Sequence, residues 1–216
     1  MRAVLARRLD LACGFSGLVF LAGFLVQGKP PSPDEPVATI AGYLADHRSA
    51  ILAGDLLIAV AAVPFLWFLG AFRGVLGEAG ETRLSAAAFL GAGVGVGIVL
   101  AGVAVQAALV LNSVHGSDAL VRFAFDSFNA LITIAGAALA VGVGAAAVSG
   151  ARSGALPAWL FRTGAATALL QVATLPGLVA EGGPFAAGGA VALLAFVALV
   201  AWFTALTAHL LARRSG

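Results

Sequence analysis

Ionisable and amide side chains inside apolar stretches are the residues of this sequence best suited to chemistry. Arg122, Asp126 and Asn129 are spaced by four and three residues, and Asp118 precedes Arg122 by four. On a helix this spacing places all of them on one face, where Arg122 can pair with either acid. If the stretch crosses a membrane, charges cost at least ~2.5–3.5 kcal/mol at its centre, which indicates a site that binds a polar headgroup or relays protons. An ion-pair ladder that caps the helix near the headgroups is the alternative.

Polar residues in three other apolar stretches add to this candidate site. Asp55, Gln106 and Gln171 lie within them, and His115 follows the stretch that holds Gln106. If the stretches are helices that face one another, their polar groups converge in a pocket that opens outward. Apolar walls with a few convergent polar groups are typical of small-molecule sites. The predicted ligand-binding residues are Arg122, Asn129, Gln106, Gln171, Asp118 and His115; if the protein is an enzyme, Asp126 or Asp55 is the general acid or base.

The sequence predicts neither a metal site nor a cofactor. His209 is predicted to lie at one side of the membrane and His47 and His115 at the other, so the three cannot bind one metal ion. No HExxH spacing occurs. A pair of His47 and His115 with Asp118 is left as an open alternative. The single cysteine, Cys13, excludes a disulfide framework and any CxxC site.

The composition indicates which class of protein holds these residues. Hydrophobic residues make up 61% of the chain and charged residues 10%, whereas about a quarter of a soluble domain is charged. The mean hydropathy is +1.04. The near balance of 12 Lys+Arg against 10 Asp+Glu argues against a nucleic-acid partner. We therefore expect an all-α polytopic membrane protein, because a chain in lipid must satisfy its backbone hydrogen bonds internally.

Six stretches are long enough to cross a hydrocarbon core of about 30 Å as helices. They cover about residues 9–27, 50–72, 85–111, 123–149, 157–179 and 187–211 of one transmembrane domain, residues 1–216. In the connection between the first two, Ser32 to Glu35 read as a helix start and Val37, Ile40 and Leu44 as an apolar stripe. This pattern predicts a short amphipathic helix over about 33–48 on the outer surface, either a simple lead-in or a lid.

The basic residues predict the orientation of these spans. Lys29, Arg48 and Arg122 are the only basic residues on one side, and all others of the 12 fall on the opposite side. By the positive-inside rule both termini are then cytoplasmic, in a bacterial inner (plasma) membrane.

Glycines in the third span predict close helix packing. Gly91 with Gly95, and Gly93 with Gly97, form two overlapping GxxxG spacings, which let helix backbones approach each other in lipid. The partner is either another span of the chain, a second copy in a homo-oligomer, or a helix of another protein.

Two segments carry a resemblance to a known group of proteins. Residues 153–160, SGALPAWL, and residues 65–73, FLWFLGAFR, resemble the turn-and-entry motif and the end of the second span in six-span inner-membrane proteins of actinobacteria. The resemblance implies a six-span layout over most of the chain, and it implies no particular activity.

These observations leave three functional hypotheses. The first is a membrane protein that binds a small amphipathic or lipophilic ligand, such as a membrane lipid, in an outward-facing polar pocket. The second is a membrane-embedded enzyme of lipophilic metabolism, of isomerase or cyclase type. The third is a structural subunit of a membrane complex that uses the glycine face.

Overall fold

The computed structural model describes residues 2–112 and 117–213, which form α-helices, short 3-10 turns and connections without a β-strand within those ranges. His115 therefore lies outside the described residues. The α-helices of the described ranges are α1 (Arg2–Ala12), α2 (Ser16–Val26), α3 (Val37–Asp46), α4 (Arg48–Glu78), α5 (Thr82–Asn112), α6 (Asp118–Arg152), α7 (Ala158–Ala173) and α8 (Ala190–Ala212).

Five helical segments of the described chain are long and apolar enough to cross a membrane: Arg8–Val26, which joins the end of α1 to α2 through the 3-10 turn Cys13–Phe15, and α4, α5, α6 and α8. The sequence predicts a further span over 157–179, but α7 has 16 residues and ends at Ala173. A 3-10 turn, Leu175–Leu178, follows it. Pro176 accounts for this end, because its ring lacks an N–H and collides with the preceding helical turn.

The helices are arranged in a ring that follows the order of the chain. Helix α2 packs on α4, α4 on α5, α5 on α6, α6 on α7 and α7 on α8, and α8 packs back on α1 and α2. Aromatic side chains fill one end of this ring. Phe68 is fully buried, Phe65 and Phe203 meet edge to face at 4.9 Å between centroids, and Trp202 Nε1 donates to Leu160 O at 3.0 Å.

Glycines bring α5 and α6 into backbone contact. A Cβ at Gly91 would lie 2.5 Å from the Gly142 backbone nitrogen, and one at Gly95 would lie 2.6 Å from the Leu139 side chain. Gly93 and Gly97 face the other way, where a Cβ would meet no atom within 4 Å. One of the two GxxxG pairs thus joins two helices of the same chain, and the other lies on an open face.

Helix α3 begins at Val37, not at residue 33 as the sequence predicts. Pro36 precedes it in an extended conformation (φ −57°, ψ 145°), and a residue before proline is disfavoured in the helical region, so Glu35 stays in a turn. Ile40 and Leu44 are buried, at 0% and 1% exposure, against a cluster of α5 and α6 side chains. The apolar stripe of α3 therefore faces the bundle.

A non-helical segment, residues 179–189, connects the turn after α7 to α8. It folds on itself through backbone hydrogen bonds, among them Ala186 N to Gly183 O (3.2 Å) and Gly189 N to Ala186 O (2.8 Å). Gly183 and Gly188 have φ of +81° and +74°, which glycine adopts without steric cost. Ala186 is 4% exposed, so the segment reaches into the bundle.

Candidate functional site

Three buried polar side chains from three helical segments meet in one cluster. Gln27, the residue after α2, donates through Nε2 to Asp55 Oδ1 of α4 at 3.0 Å. Gln106 of α5 donates through Nε2 to Gln27 Oε1 at 3.2 Å. The three residues are 5%, 5% and 6% exposed. Asp55 Oδ2 and Gln106 Oε1 are buried and have no hydrogen-bond partner among the described residues. We call these three residues the buried polar cluster.

Glycines and a tyrosine position the buried polar cluster. A Cβ at Gly54 would overlap the Gly23 carbonyl oxygen and the Gln27 side chain, so two glycines allow α2 and α4 to approach closely beside Asp55. From α3, the Tyr43 hydroxyl donates to Gln27 O at 2.8 Å. Burial raises the pKa of the Tyr43 hydroxyl above its ordinary 10.0, so Tyr43 remains a donor at neutral pH.

A separate cavity of about 110 Å³ lies between the helices. Its walls are apolar side chains of α2, α5, α6 and α8 together with residues 186–188 of the 179–189 segment. Asn129 and Thr133 of α6 and Gln171 and Thr174, of α7 and its end, supply its polar groups. We call this space the interhelical cavity.

The polar groups of the interhelical cavity each donate a hydrogen bond within the protein. Asn129 Nδ2 donates to Phe125 O at 2.9 Å, and Thr133 Oγ1 donates to Asn129 O at 2.8 Å. Gln171 Nε2 donates to Ala195 O at 2.9 Å. An amide nitrogen carries two N–H donors, so Asn129 and Gln171 each keep one N–H, as well as the carbonyl oxygen, for an occupant. The Thr133 hydroxyl, whose proton is engaged, is left to accept.

Arg122 and the nearby acids lie in neither place. The Arg122 guanidinium donates to Pro33 O and Glu35 O, each at 2.5 Å, and so holds the turn that precedes α3. Asp126 Oδ1 is 3.9 Å from Arg122 Nη1, and the Asp126 side chain is 52% exposed. Asp118 is exposed in the first turn of α6, where a negative charge favours the helix N-terminus.

The predicted site residues therefore divide between two locations. The structure brings Asp55 to Gln106, and Asn129 to Gln171, but it places Arg122, Asp118 and Asp126 outside both groups. The physical reason is that Arg122 finds backbone carbonyls of the connection 28–36 within reach and turns towards them.

Gln27 is the site residue that sequence reasoning missed. It stands at the last position of the first predicted span, where an amide is ordinary, and only its level relative to Asp55 and Gln106 could have indicated it.

We expect Arg122→Gln to loosen the turn before α3. Loss of the charge-assisted hydrogen bonds to Pro33 and Glu35 should cost about 1.5 kcal/mol, because hydrogen bonds to charged groups are stronger than neutral ones. Hydrogen exchange followed by mass spectrometry should show amides of residues 32–37 exchanging about tenfold faster. Asp126→Asn is the control: it removes only the partly exposed 3.9 Å pair and should change exchange little. Equal effects of both variants would contradict this assignment.

Comparisons of the chain with protein-family models, with curated proteins and with solved structures find no match. Among residues 2–112 and 117–213, no group of three or more His, Cys, Asp and Glu side chains is placed to hold a metal ion. The described residues that line the interhelical cavity include no carboxylate, imidazole or thiol. The chemistry of that cavity is hydrogen bonding by amides and hydroxyls within apolar walls.

Proposed function

We propose that the protein is a six-span inner-membrane protein that binds a small amphipathic or lipophilic molecule in the interhelical cavity. In this proposal α7 and the 3-10 turn Leu175–Leu178 together form one span, which brings the number of spans to six, and both termini are cytoplasmic. Helix α3 then lies at the outer surface, and the interhelical cavity lies in the outer half of the bundle, open to ligands of the outer leaflet.

The lining of the interhelical cavity is the observation that carries this proposal. Apolar walls with a few oriented polar groups are the usual composition of a small-molecule site. An acid–base enzyme would need a carboxylate there, but Asp55 is in the buried polar cluster and Asp126 is on the surface. The geometry therefore favours binding over the isomerase or cyclase hypothesis.

The size and the polar groups of the cavity define the ligand class. At about 110 Å³ it is comparable with an engineered apolar protein cavity of about 150 Å³ that accommodates benzene. A single ring or the end of a chain fits such a space. A hydroxyl on that group would donate to the oxygens of Asn129 or Gln171. We therefore expect a ligand with a small apolar body and one hydrogen-bonding group, such as a hydroxyl.

We expect Ala192→Leu to abolish binding by filling the interhelical cavity, which Ala192 lines. Phenol is the probe, and toluene is the matched compound without a donor. Ligand-observed NMR with the full chain in lipid nanodiscs should give saturable binding of phenol to the natural protein. Toluene should bind several-fold more weakly, because a net hydrogen bond contributes about 1 kcal/mol. In Ala192→Leu the affinity for phenol should fall at least tenfold.

The matched control is Ala201→Leu, on the same helix but at an exposed position. It should bind phenol as the natural protein does. If Ala192→Leu and Ala201→Leu bind phenol equally, the probe is partitioning into lipid and the proposal fails. Native mass spectrometry of the three proteins would then also show no phenol adduct that is lost in Ala192→Leu and kept in Ala201→Leu.

A second candidate, assembly with another helix, is favoured by the open glycine face. Gly93 and Gly97 have the GxxxG spacing of close helix contacts, and a Cβ at either would meet no atom of the described residues within 4 Å. A second copy of the chain or a helix of another protein would be the partner.

A further inference from the structure

We propose that the buried polar cluster is a binding site for one sodium ion. The hydrogen bonds in the cluster run in one direction, from Gln106 to Gln27 and from Gln27 to Asp55. Both ends of this chain are acceptors without partners, Gln106 Oε1 and Asp55 Oδ2. Buried acceptors that lack a partner are costly, so each of them requires a donor or a cation.

The charge of the buried polar cluster indicates a monovalent occupant. Asp55 carries the single carboxylate, its hydrogen-bond donor is the neutral amide of Gln27, and no basic side chain of the described residues pairs with it. The nearest basic residue along α4, Arg48, is exposed at the start of the helix. A buried carboxylate without a countercharge is strongly disfavoured. One positive charge balances it, and a divalent ion would leave an excess.

The ligand atoms favour an alkali cation, and sodium is the one we propose. Carboxylate and amide oxygens are hard ligands, which suit alkali and alkaline-earth ions, whereas transition metals prefer imidazole or thiolate. Calcium takes six to eight oxygens, commonly from several acidic residues, whereas this cluster has a single acidic residue. Gly23 and Gly54 bring the backbones of α2 and α4 together beside Asp55, since a Cβ at Gly54 would overlap the Gly23 carbonyl oxygen.

The end of α2 adds to the attraction for a cation. The helix ends at Val26, directly before Gln27, so its C-terminal carbonyls bring a partial negative charge to the cluster. Helix C-terminal ends inside membranes coordinate sodium in other folds for this reason. A bound ion would connect α4 and α5 with the end of α2, because each contributes one side chain to the cluster.

The test compares salts at one pH and one ionic strength. The full chain in detergent is unfolded thermally in NaCl, KCl or choline chloride, and binding of ²²Na⁺ is measured in parallel. We expect Na⁺ alone to raise the melting temperature saturably, by several degrees, because a ligand that binds only the folded state stabilises it. Asp55→Asn should lose at least tenfold in ²²Na⁺ affinity, whereas Asp126→Asn, a carboxyl outside the cluster, should keep it.

Three outcomes would overturn the proposal. One is equal stabilisation by all three salts. Another is ²²Na⁺ binding that persists unchanged in Asp55→Asn. The third is a melting temperature that follows pH with no response to Na⁺, which would show that a proton alone neutralises Asp55. If Asp55→Asn does not fold, Gln106→Met takes its place, and the salt series on the natural protein already decides between sodium and the other cations.

Discussion

Valine at position 91 should destabilise the folded protein by roughly 3 kcal/mol, at the upper end of the range for overpacked cores. The added Cβ would lie 2.5 Å from the Gly142 nitrogen and 2.9 Å from the Ala138 carbonyl oxygen. Both are backbone atoms of α6, so relief requires the two helices to separate. Thermal or denaturant unfolding of Gly91→Val in detergent, followed by tryptophan fluorescence, measures the loss.

Gly93→Val is the matched control, because it introduces the same side chain one half-turn away. A Cβ at Gly93 meets no atom within 4 Å, so the stability of the monomer should change by less than about 0.5 kcal/mol. If Gly93→Val is the more damaging variant, the packing of α5 on α6 is not as described. If it leaves the monomer stable but disrupts an oligomer on a sizing column, the open glycine face is an assembly surface.

Gln27→Met should destabilise the protein by about 3 kcal/mol, measured in potassium buffer so that no sodium contributes. Methionine is unbranched and keeps the shape of glutamine, but it leaves Asp55 Oδ1 without its donor and Gln106 Nε2 without its acceptor. Each buried group that loses its partner costs about 1–3 kcal/mol. Chemical unfolding of the variant beside the natural protein gives the difference.

Removal of all the polar groups should have the opposite result. When both partners of a buried interaction become apolar, stability is often recovered or increased. The triple variant Gln27→Met, Asp55→Leu, Gln106→Met should therefore unfold within about 1 kcal/mol of the natural protein, or above it. It should also show no response to Na⁺. A triple variant less stable than Gln27→Met would mean that the cluster is held for stability, and binding would not be needed to explain it.

The helical class could be predicted because apolar run length and backbone hydrogen bonding leave a membrane chain little choice. Boundaries were harder. Pro36 and Pro176 each have a local effect that a count of apolar residues does not include: the first delays α3 to Val37, and the second contributes to ending α7 at Ala173. The described chain therefore has five helical segments that are long enough to span a membrane, whereas the lengths of the apolar stretches alone predict six.

Only part of the predicted site comes together in the structure: Asp55 lies with Gln106, and Asn129 lies with Gln171. Burial of Asp55 and Gln106 follows from their depth in apolar spans, but their meeting with Gln27 depends on which faces of α2, α4 and α5 turn inward. Helical periodicity does not determine this choice when small residues occur on every face. Arg122 shows the second limit, because its partners are backbone carbonyls of a connection that has no side-chain pattern to reveal them.

If the protein binds a ligand as proposed, the 179–189 segment would separate the stability of the helix packing from the rate of ligand exchange. Residues 186–188 form one wall of the interhelical cavity, and the segment is closed by a few backbone hydrogen bonds within itself. Its opening would break those bonds and turn the chain about Gly183 and Gly188, both of which already have positive φ. The residence time of a bound ligand would then depend on this short segment. The tight packing of α5 on α6 would not have to slow the exchange of the ligand.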